Sequence, residues 1–428
     1  MSKIELQEWE QRIPEKGNQL YNLFLNESAR ETAQIISKRG MLDVIELKNG
    51  LSISANSYVG KISLGDIQID IKPKISGMPL YKLLKYAYGL RNLEILSQAK
   101  HSLDEFPFCD LIIHQLCAEA EELIARGLNR RYIRIANNIE NPRGRIDFRA
   151  IANQGGLITP VLACIYFERM EDSLLNRILL AGLRMGIRLT DDLYLRIKLN
   201  ELCSQMLNVV SVIELNRDLL LTALCSIDRL TDHYKPVLEI INILFESQGI
   251  QWEDSAEQIA LHGYMFDMNL FFQSLMSKFL HEYIDRDNYA LLDQYVLWDM
   301  FSYNPEYNPK GRRQPTLRPD FAIKKNGRIV SLLDAKYRDL WETPLPSEML
   351  YQLAVYAFSG RWSKSKILYP TLHESAKVQK IDIRDPVTDG LLAQVILQPV
   401  LLNYIVELIS QRGKYKKACD YAHLLAIE

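Results

Sequence analysis

A chain of 428 residues is too long for one ordinary domain, so two or three are expected. Its 48% hydrophobic and 24% charged residues are those of a folded globular protein and exclude a disordered or fibrous class. The formal net charge of -2 excludes a globally basic nucleic-acid binder, so any cationic surface has to be local.

The six cysteines are scattered without a CxxC pair, mostly inside apolar helical patterns, which argues against a disulfide or zinc framework. The segment "MSKIELQEWEQRIPEK" lacks the apolar core of a signal peptide. No apolar run approaches the roughly 18 residues of a membrane span. A cytoplasmic protein without membrane association is expected.

In chain order, residues 20–39 have helical periodicity and end at Gly40. The period then changes to two. "LDVIELKNGLSIS" reads as a strand pair around Asn49-Gly50, and "KISLGDIQIDIKPKI" as another around Gly65-Asp66. Pro79 opens and Gly89 closes a helix. "VGKIS" at 59–63 superficially resembles a phosphate-binding loop. The required glycine is Ala55, however, and the required Ser or Thr is Ile62, so that motif is rejected.

From about Phe106 to Gln248 the patterns are mainly helical, with a β interruption at "NPRGRIDFRA". Arg143, Arg145 and Arg149 there serve either to touch a partner or phosphate, or simply as a solvated loop. From about Glu257 the order is helix, strands, helix, strand, helix, with "YVLWDMFSYN" read as one of the strands. A central sheet flanked by helices fits that order. The expected organisation is α+β or α/β multidomain: a β-rich N-terminal domain (1–100), a helical middle region (101–255) and a C-terminal domain (256–428).

The stretch "RPDFAIKKNGRIVSLLDAKY" carries the chemistry. Alternation along a strand puts Asp334 and Lys336 on one face. A strict two-residue loop at Asn326-Gly327 pairs 320 with 333 and sets Asp320 on the opposite face from Asp334. A three-residue loop, or an equivalent bulge, pairs 320 with 334 and brings the carboxylates together, with Cβ atoms roughly 5 Å apart. That second register is the expected one.

Two carboxylates so placed suit Mg2+, with Mn2+ a substitute. A lysine beside them can orient or help deprotonate the attacking water and offset charge on a phosphate. Gln352 and Tyr356 share a face of the next helix at i,i+4 spacing. Lys310, Arg312, Arg313 and Arg318 precede Asp320, and residues 304–338 hold nine Lys or Arg against three Asp or Glu. Such a patch suits sequence-independent contacts to DNA phosphates. His262 and His281, without spaced partners, read as structural. Trp298, Trp341 and Trp362 read as core residues, with stacking on bases the other possibility.

"RPDF", "DAKY" and "QLAVY" resemble, in order and spacing, the PD-(D/E)xK nuclease superfamily, especially its RecB-like branch. Together with "SYVGKISLGDIQIDIKPKI", "NPRGRIDF", "EDSLLNRILLAGLR", "YKPVLEIINILF" and "FDMNLFFQSLM", the chain is similar over roughly 40–375 to the McrC-like nuclease subunits of McrBC-type modification-dependent (5-methylcytosine) restriction systems. The resemblance implies a PD-(D/E)xK fold for the C-terminal domain and an Mg2+-dependent endonuclease of phage defence. It further implies a separately encoded McrB-like AAA+ GTPase hexamer as partner, stimulated by the N-terminal part, and modified double-stranded DNA as substrate. Asp320 and Asp334 would be metal ligands with the Ala335 backbone carbonyl, Lys336 the catalytic lysine, and Gln352 and Tyr356 supports. Gln273 stands where the family usually has a metal-holding glutamate. That departure leaves a second reading open: an adaptor with a decayed site that only activates the motor.

Overall fold

The computed structural model describes all residues except 1, 76, 90–107, 157–159, 249–262, 298–299, 309 and 360–363. His262, Trp298 and Trp362 therefore lie outside the described residues. The described residues before 90 and from Met265 onward form one unit, and those from Phe108 to Tyr264 form another. This division is not one drawn along the chain, because the first and last parts of the sequence belong to the same unit.

In the first unit, Ser2–Gln7 runs parallel to Ile67–Lys72, which pairs antiparallel with Tyr58–Leu64; the strand Gly263–Asp267, which belongs to this unit from Met265 on, completes a four-stranded sheet. Leu64 opposes Ile67, so the turn is the expected Gly65-Asp66, with Gly65 at φ +59. Val59–Ser63 lies within a strand and forms no phosphate-binding loop. A second sheet joins Gln11–Arg12, Gly50–Ala55 and Leu42–Leu47. There Leu47 opposes Gly50, which moves the turn one residue earlier than expected, to Lys48-Asn49. The helix before it is Glu27–Lys38, shorter than its periodicity: Asn26 caps it by accepting the Ala29 N–H, so residues 20–25 stay outside.

The same unit holds a six-stranded mixed sheet. Its order is Ala290–Asp293, Phe321–Lys325, Arg328–Ala335, Lys364–Thr371, Leu391–Leu401, Gln379–Arg384. The first three strands are antiparallel, the next two junctions are parallel, and the last is antiparallel. The helix Ser347–Ser359 packs on the middle of this sheet, and Met268–Tyr283 packs beside Ala290–Asp293 and Arg328–Ala335. "YVLWDMFSYN" is not a strand over its described residues. The strand ends at Asp293, where Gln294 adopts a left-handed conformation (φ +49), and beyond it only Leu297 makes a bridge, to Leu317.

The second unit contains the expected helices Phe108–Arg126, Leu174–Leu189, Leu193–Met206 and Lys235–Gln248, and also Arg217–Cys225. Asn176, fully buried, donates to the carbonyls of Asn129 and Glu171 and accepts from Tyr234. The unit also carries a sheet that the helical patterns hide. Arg131–Ile139 pairs with Leu162–Met170 over nine residue pairs, and Arg145–Ile146 adds to it. Most residues of Arg131–Ile139 are exposed on both faces, so no apolar alternation marks it as a strand. Asp147 caps the short helix Phe148–Asn153 that follows. All six cysteines are free and four are buried. No helix among the described residues is long and apolar enough to cross a membrane.

Candidate active site

The hairpin register decides whether the two carboxylates meet. Lys325 opposes Arg328 and Lys324 opposes Ile329, the strict two-residue loop, with Asn326 and Gly327 both at positive φ as a type I′ turn requires. Between Ile323 and Lys324 the register then slips, and Ile323 opposes Ser331, Ala322 opposes Leu332 and Phe321 opposes Leu333. Val330 is the extra residue of this bulge. Carried one residue further, the register sets Asp320 opposite Asp334. The three-residue loop is absent; the bulge does its work.

Asp334 alternates with Leu332, and Asp320 with Ala322. Both of those apolar residues belong to the cluster that includes Leu353, Tyr356, Ile367 and Tyr369. The carboxyls thus sit on the face covered by the Ser347–Ser359 helix. Asp334 is 3% exposed and in hydrogen-bonding contact with the Asp320 carboxyl. Burial first, and then the Asp320 charge, push its pKa up to about 6, against the pull of Lys336. Lys336 Nζ lies 3.3 Å from Asp334 Oδ2 and is about one-third exposed. Its backbone is fixed by donation to the Leu368 carbonyl at 3.0 Å.

Asp320 is held from three sides. Gln273 Nε2 donates to Oδ1 at 2.8 Å, Gln294 Nε2 donates to the same oxygen at 3.0 Å, and the Ala335 N–H donates to Oδ2 at 2.8 Å. Within an extended strand the N–H and C=O of one residue point the same way, so the Ala335 carbonyl also faces Asp320. Gln352 Nε2 donates to the Tyr356 hydroxyl at 2.7 Å. Tyr356 is buried and its phenol is raised to about 12 by burial, with Asp334 and Asp320 adding to the shift and Gln352 opposing it.

Asp320, Asp334, Ala335, Lys336, Gln273, Gln352 and Tyr356 are therefore brought into one neighbourhood. Lys310, Arg312, Arg313 and Arg318 are all exposed in the preceding loop. The Asn308 side chain closes that loop by bonding both the N–H and the carbonyl of Arg312. Arg318 donates to the Gln294 carbonyl at 3.2 Å. His281 stands apart, bonding the exposed Asp293 at 3.1 Å, and Trp341 is 38% exposed.

Two residues of the neighbourhood escape sequence reading. Gln294 donates its backbone N–H to the Asp320 carbonyl (2.7 Å) as well as its amide to the side chain. A left-handed non-glycine residue held this way marks a site where surrounding bonds offset local strain. Asn269, one turn before Gln273, accepts the Tyr337 N–H at 3.0 Å and donates to Ser57 Oγ. It ties the end of the Lys336 strand to the helix start and to the N-terminal sheet. Neither residue has a motif; both act through contacts distant in sequence.

The donor set is hard: two carboxylates and a main-chain carbonyl. Asp334 and Asp320 crowd each other with one ammonium between two acids, and a divalent cation relieves such crowding. The residues fit Mg2+ or Mn2+.

A family model for the McrBC 5-methylcytosine restriction system component matches residues 53–370, about three-quarters of the chain. The chain belongs to this family. Among solved structures, the chain is similar to a refined half-complex from a tetradecameric assembly of Thermococcus gammatolerans McrB AAA+ hexamers with bound McrC. That match has a TM-score of 0.61 at 19% identity and covers 98% of this chain and 99% of that one. A cryo-EM structure of the Thermococcus gammatolerans McrBC complex matches at TM-score 0.47 and 19% identity, over 65% of this chain and 87% of that one. At such identity the first likeness is one of fold. No curated protein matches the chain.

Proposed function

We propose that this member of the McrBC family is the DNA-cutting subunit of a modification-dependent restriction system. In this reading it hydrolyses phosphodiester bonds with Mg2+ and works with a separate AAA+ GTPase that it stimulates. The observation that carries the reading is the convergence of Asp320, Asp334 and Lys336 at one end of a bulged hairpin, with Asp334 buried against the second carboxyl.

Asp320, Asp334 and the Ala335 carbonyl would hold Mg2+, with Mn2+ able to replace it and Gln273 able to assist through its amide oxygen. When bound, the cation supplies Lewis acidity toward the phosphate and makes water more acidic. Lys336, tethered by Asp334 yet partly exposed, presents its ammonium where it orients the attacking water and offsets charge on the phosphate. Gln352 and Tyr356, joined by their own hydrogen bond, would support the carboxyls from the helix side, where the buried Tyr356 phenol feels both charges. Lys310, Arg312, Arg313 and Arg318 fix the DNA backbone without reading bases.

Partnership with an AAA+ hexamer is supported by family membership and by the McrB AAA+ hexamers with bound McrC in the similar assembly. The resemblance places the motor-stimulating part at the N-terminus; in the second unit, Tyr132, Phe148 and Phe167 are more than 60% exposed beside exposed Arg134, Arg145 and Arg149, a further apolar and cationic surface that suits a protein partner.

The test is cleavage of duplex DNA carrying 5-methylcytosine, with partner, GTP and Mg2+. Wild type cuts, and Asp334→Ala or Lys336→Ala lowers the rate at least about a hundredfold, with stimulation of the partner's GTPase retained. Cutting by either variant at the wild-type rate contradicts the assignment. The adaptor reading rests on Gln273, which gives the site an amide in place of a third carboxylate. It is favoured if wild type stimulates GTP hydrolysis and leaves DNA intact with Mg2+ and with Mn2+.

A further inference from the structure

The cutting centre leaves unused a second group of side chains in the same unit. Just after Lys336 the chain turns through 339–343, where Asp339 Oδ1 accepts the Trp341 N–H at 2.9 Å. The strand Lys364–Thr371 ends against this turn, and Thr371 Oγ1 donates to Asp339 Oδ2 at 2.8 Å. His373 follows, with Nε2 2.8 Å from Glu342 Oε1. One ligand atom from each of Asp339, Glu342 and His373 lies within 4.8 Å of the other two. Lys74 takes the other Glu342 oxygen, at 3.0 Å.

These side chains line a cavity of about 180 Å³ together with Glu8 and Trp9. Glu8 is 1% exposed, and its Oε1 accepts both the Lys74 N–H (2.7 Å) and the Tyr337 hydroxyl (3.0 Å). Its Oε2 is buried with no hydrogen-bond partner. A buried carboxylate oxygen left unsatisfied costs roughly 1–3 kcal/mol. Glu8 lies on the wall of a cavity that also gathers two carboxylates and an imidazole, a concentration of negative charge that a cation would offset.

We propose that Asp339, Glu342 and His373 form a binding site for a divalent transition-metal ion of the Zn2+ type, separate from the Asp320–Asp334 pair. One imidazole nitrogen with two carboxylate oxygens is a Zn2+ set and a poor one for Mg2+ or Ca2+, which prefer oxygen alone. Around a tetrahedral Zn2+ with bonds of about 2.1 Å, ligand atoms stand roughly 3.4 Å apart. The present separations, from 2.8 Å between His373 and Glu342 to no more than 4.8 Å within the group, bracket that spacing. The outer partners are in place: Thr371 and the Trp341 N–H orient Asp339, and Lys74 stays on Glu342 Oε2 while Oε1 ligates. The ion ties the turn after Lys336 to the strand end at Thr371.

The test uses the full chain with Asp320→Ala and Asp334→Ala, which removes the first pair, stripped with a chelator and titrated with Zn2+ in a calorimeter. The expected result is one Zn2+ per chain, with affinity falling at least tenfold in His373→Ala and again in Glu342→Gln. Both residues are exposed, so these variants keep the fold, which circular dichroism checks. The same weakening of one equivalent is read by comparing the wild-type chain with His373→Ala, so nothing depends on the double variant folding. Absence of uptake overturns the proposal, and so does uptake that persists unchanged in His373→Ala with Glu342→Gln. DNA cleavage plays no part in this readout, so its outcome is independent of the cutting reading.

Discussion

Asp334 sits in the fold at a cost. Its carboxyl is buried, faces a second carboxyl and has only a partly exposed ammonium to offset it. Because its pKa is raised from the usual carboxylate range to about 6, the folded state holds a proton that the unfolded chain releases between about pH 4 and 6. Stability of the metal-free protein therefore falls as pH rises through that window. Asp334→Asn removes the titration. It is expected to be more stable than wild type by about 3 kcal/mol at pH 7, with the difference vanishing toward pH 4, in denaturant titrations with chelator present. An equal pH dependence in both proteins would show that the carboxyl is not so placed. The pairing of these side chains is legible in the sequence because alternation and i,i+4 spacing are local rules: Asp334 meets Lys336, and Gln352 meets Tyr356. Gln294 was not, since its tie to Asp320 spans 26 residues and the preceding strand pattern gives no hint of a left-handed turn.

At the scale of elements, the hairpin shows where local rules run out. Asn326-Gly327 correctly marks a turn, yet the turn alone would place the two acids on opposite faces. The bulge at Val330 reverses that, and no residue type announces it. Likewise the Arg131–Ile139 strand was missed because exposure on both faces erases period two. The junction at Asn269 joins three elements: its own helix, the Ser57 turn and the Tyr337 backbone after Lys336. Asn269→Ala leaves the Tyr337 N–H and Ser57 hydroxyl without these partners and is expected to cost about 1–3 kcal/mol. Because it loosens the strand end that positions Lys336, it should also lower the cleavage rate more than it weakens DNA binding. A variant with wild-type rate and stability would remove Asn269 from the positioning network.

For the whole molecule, the distribution of the core matters more than the order of the chain. The helix Gly77–Tyr88 packs on Met268–Tyr283 and on Leu402–Ser410, and the buried Tyr337 donates its hydroxyl to Glu8 from the other end of the sequence. Composition and periodicity foretold the kinds of element, but contacts between residues 8 and 337 leave no trace in a linear pattern. A fragment of residues 265–428 alone is expected to lack a cooperative thermal transition and to recover one when the segment 1–89 is supplied. A fragment that melts like the intact chain would contradict this shared core. The central claim, that Asp320 and Asp334 gather around one divalent ion, is tested most directly by Mn2+ binding measured by electron paramagnetic resonance in a His373→Ala background, which silences the second cluster. One bound Mn2+ is expected, which Asp320→Ala or Asp334→Ala abolishes and Lys336→Ala retains; an equal Mn2+ count in all four proteins would contradict a shared ion at this pair.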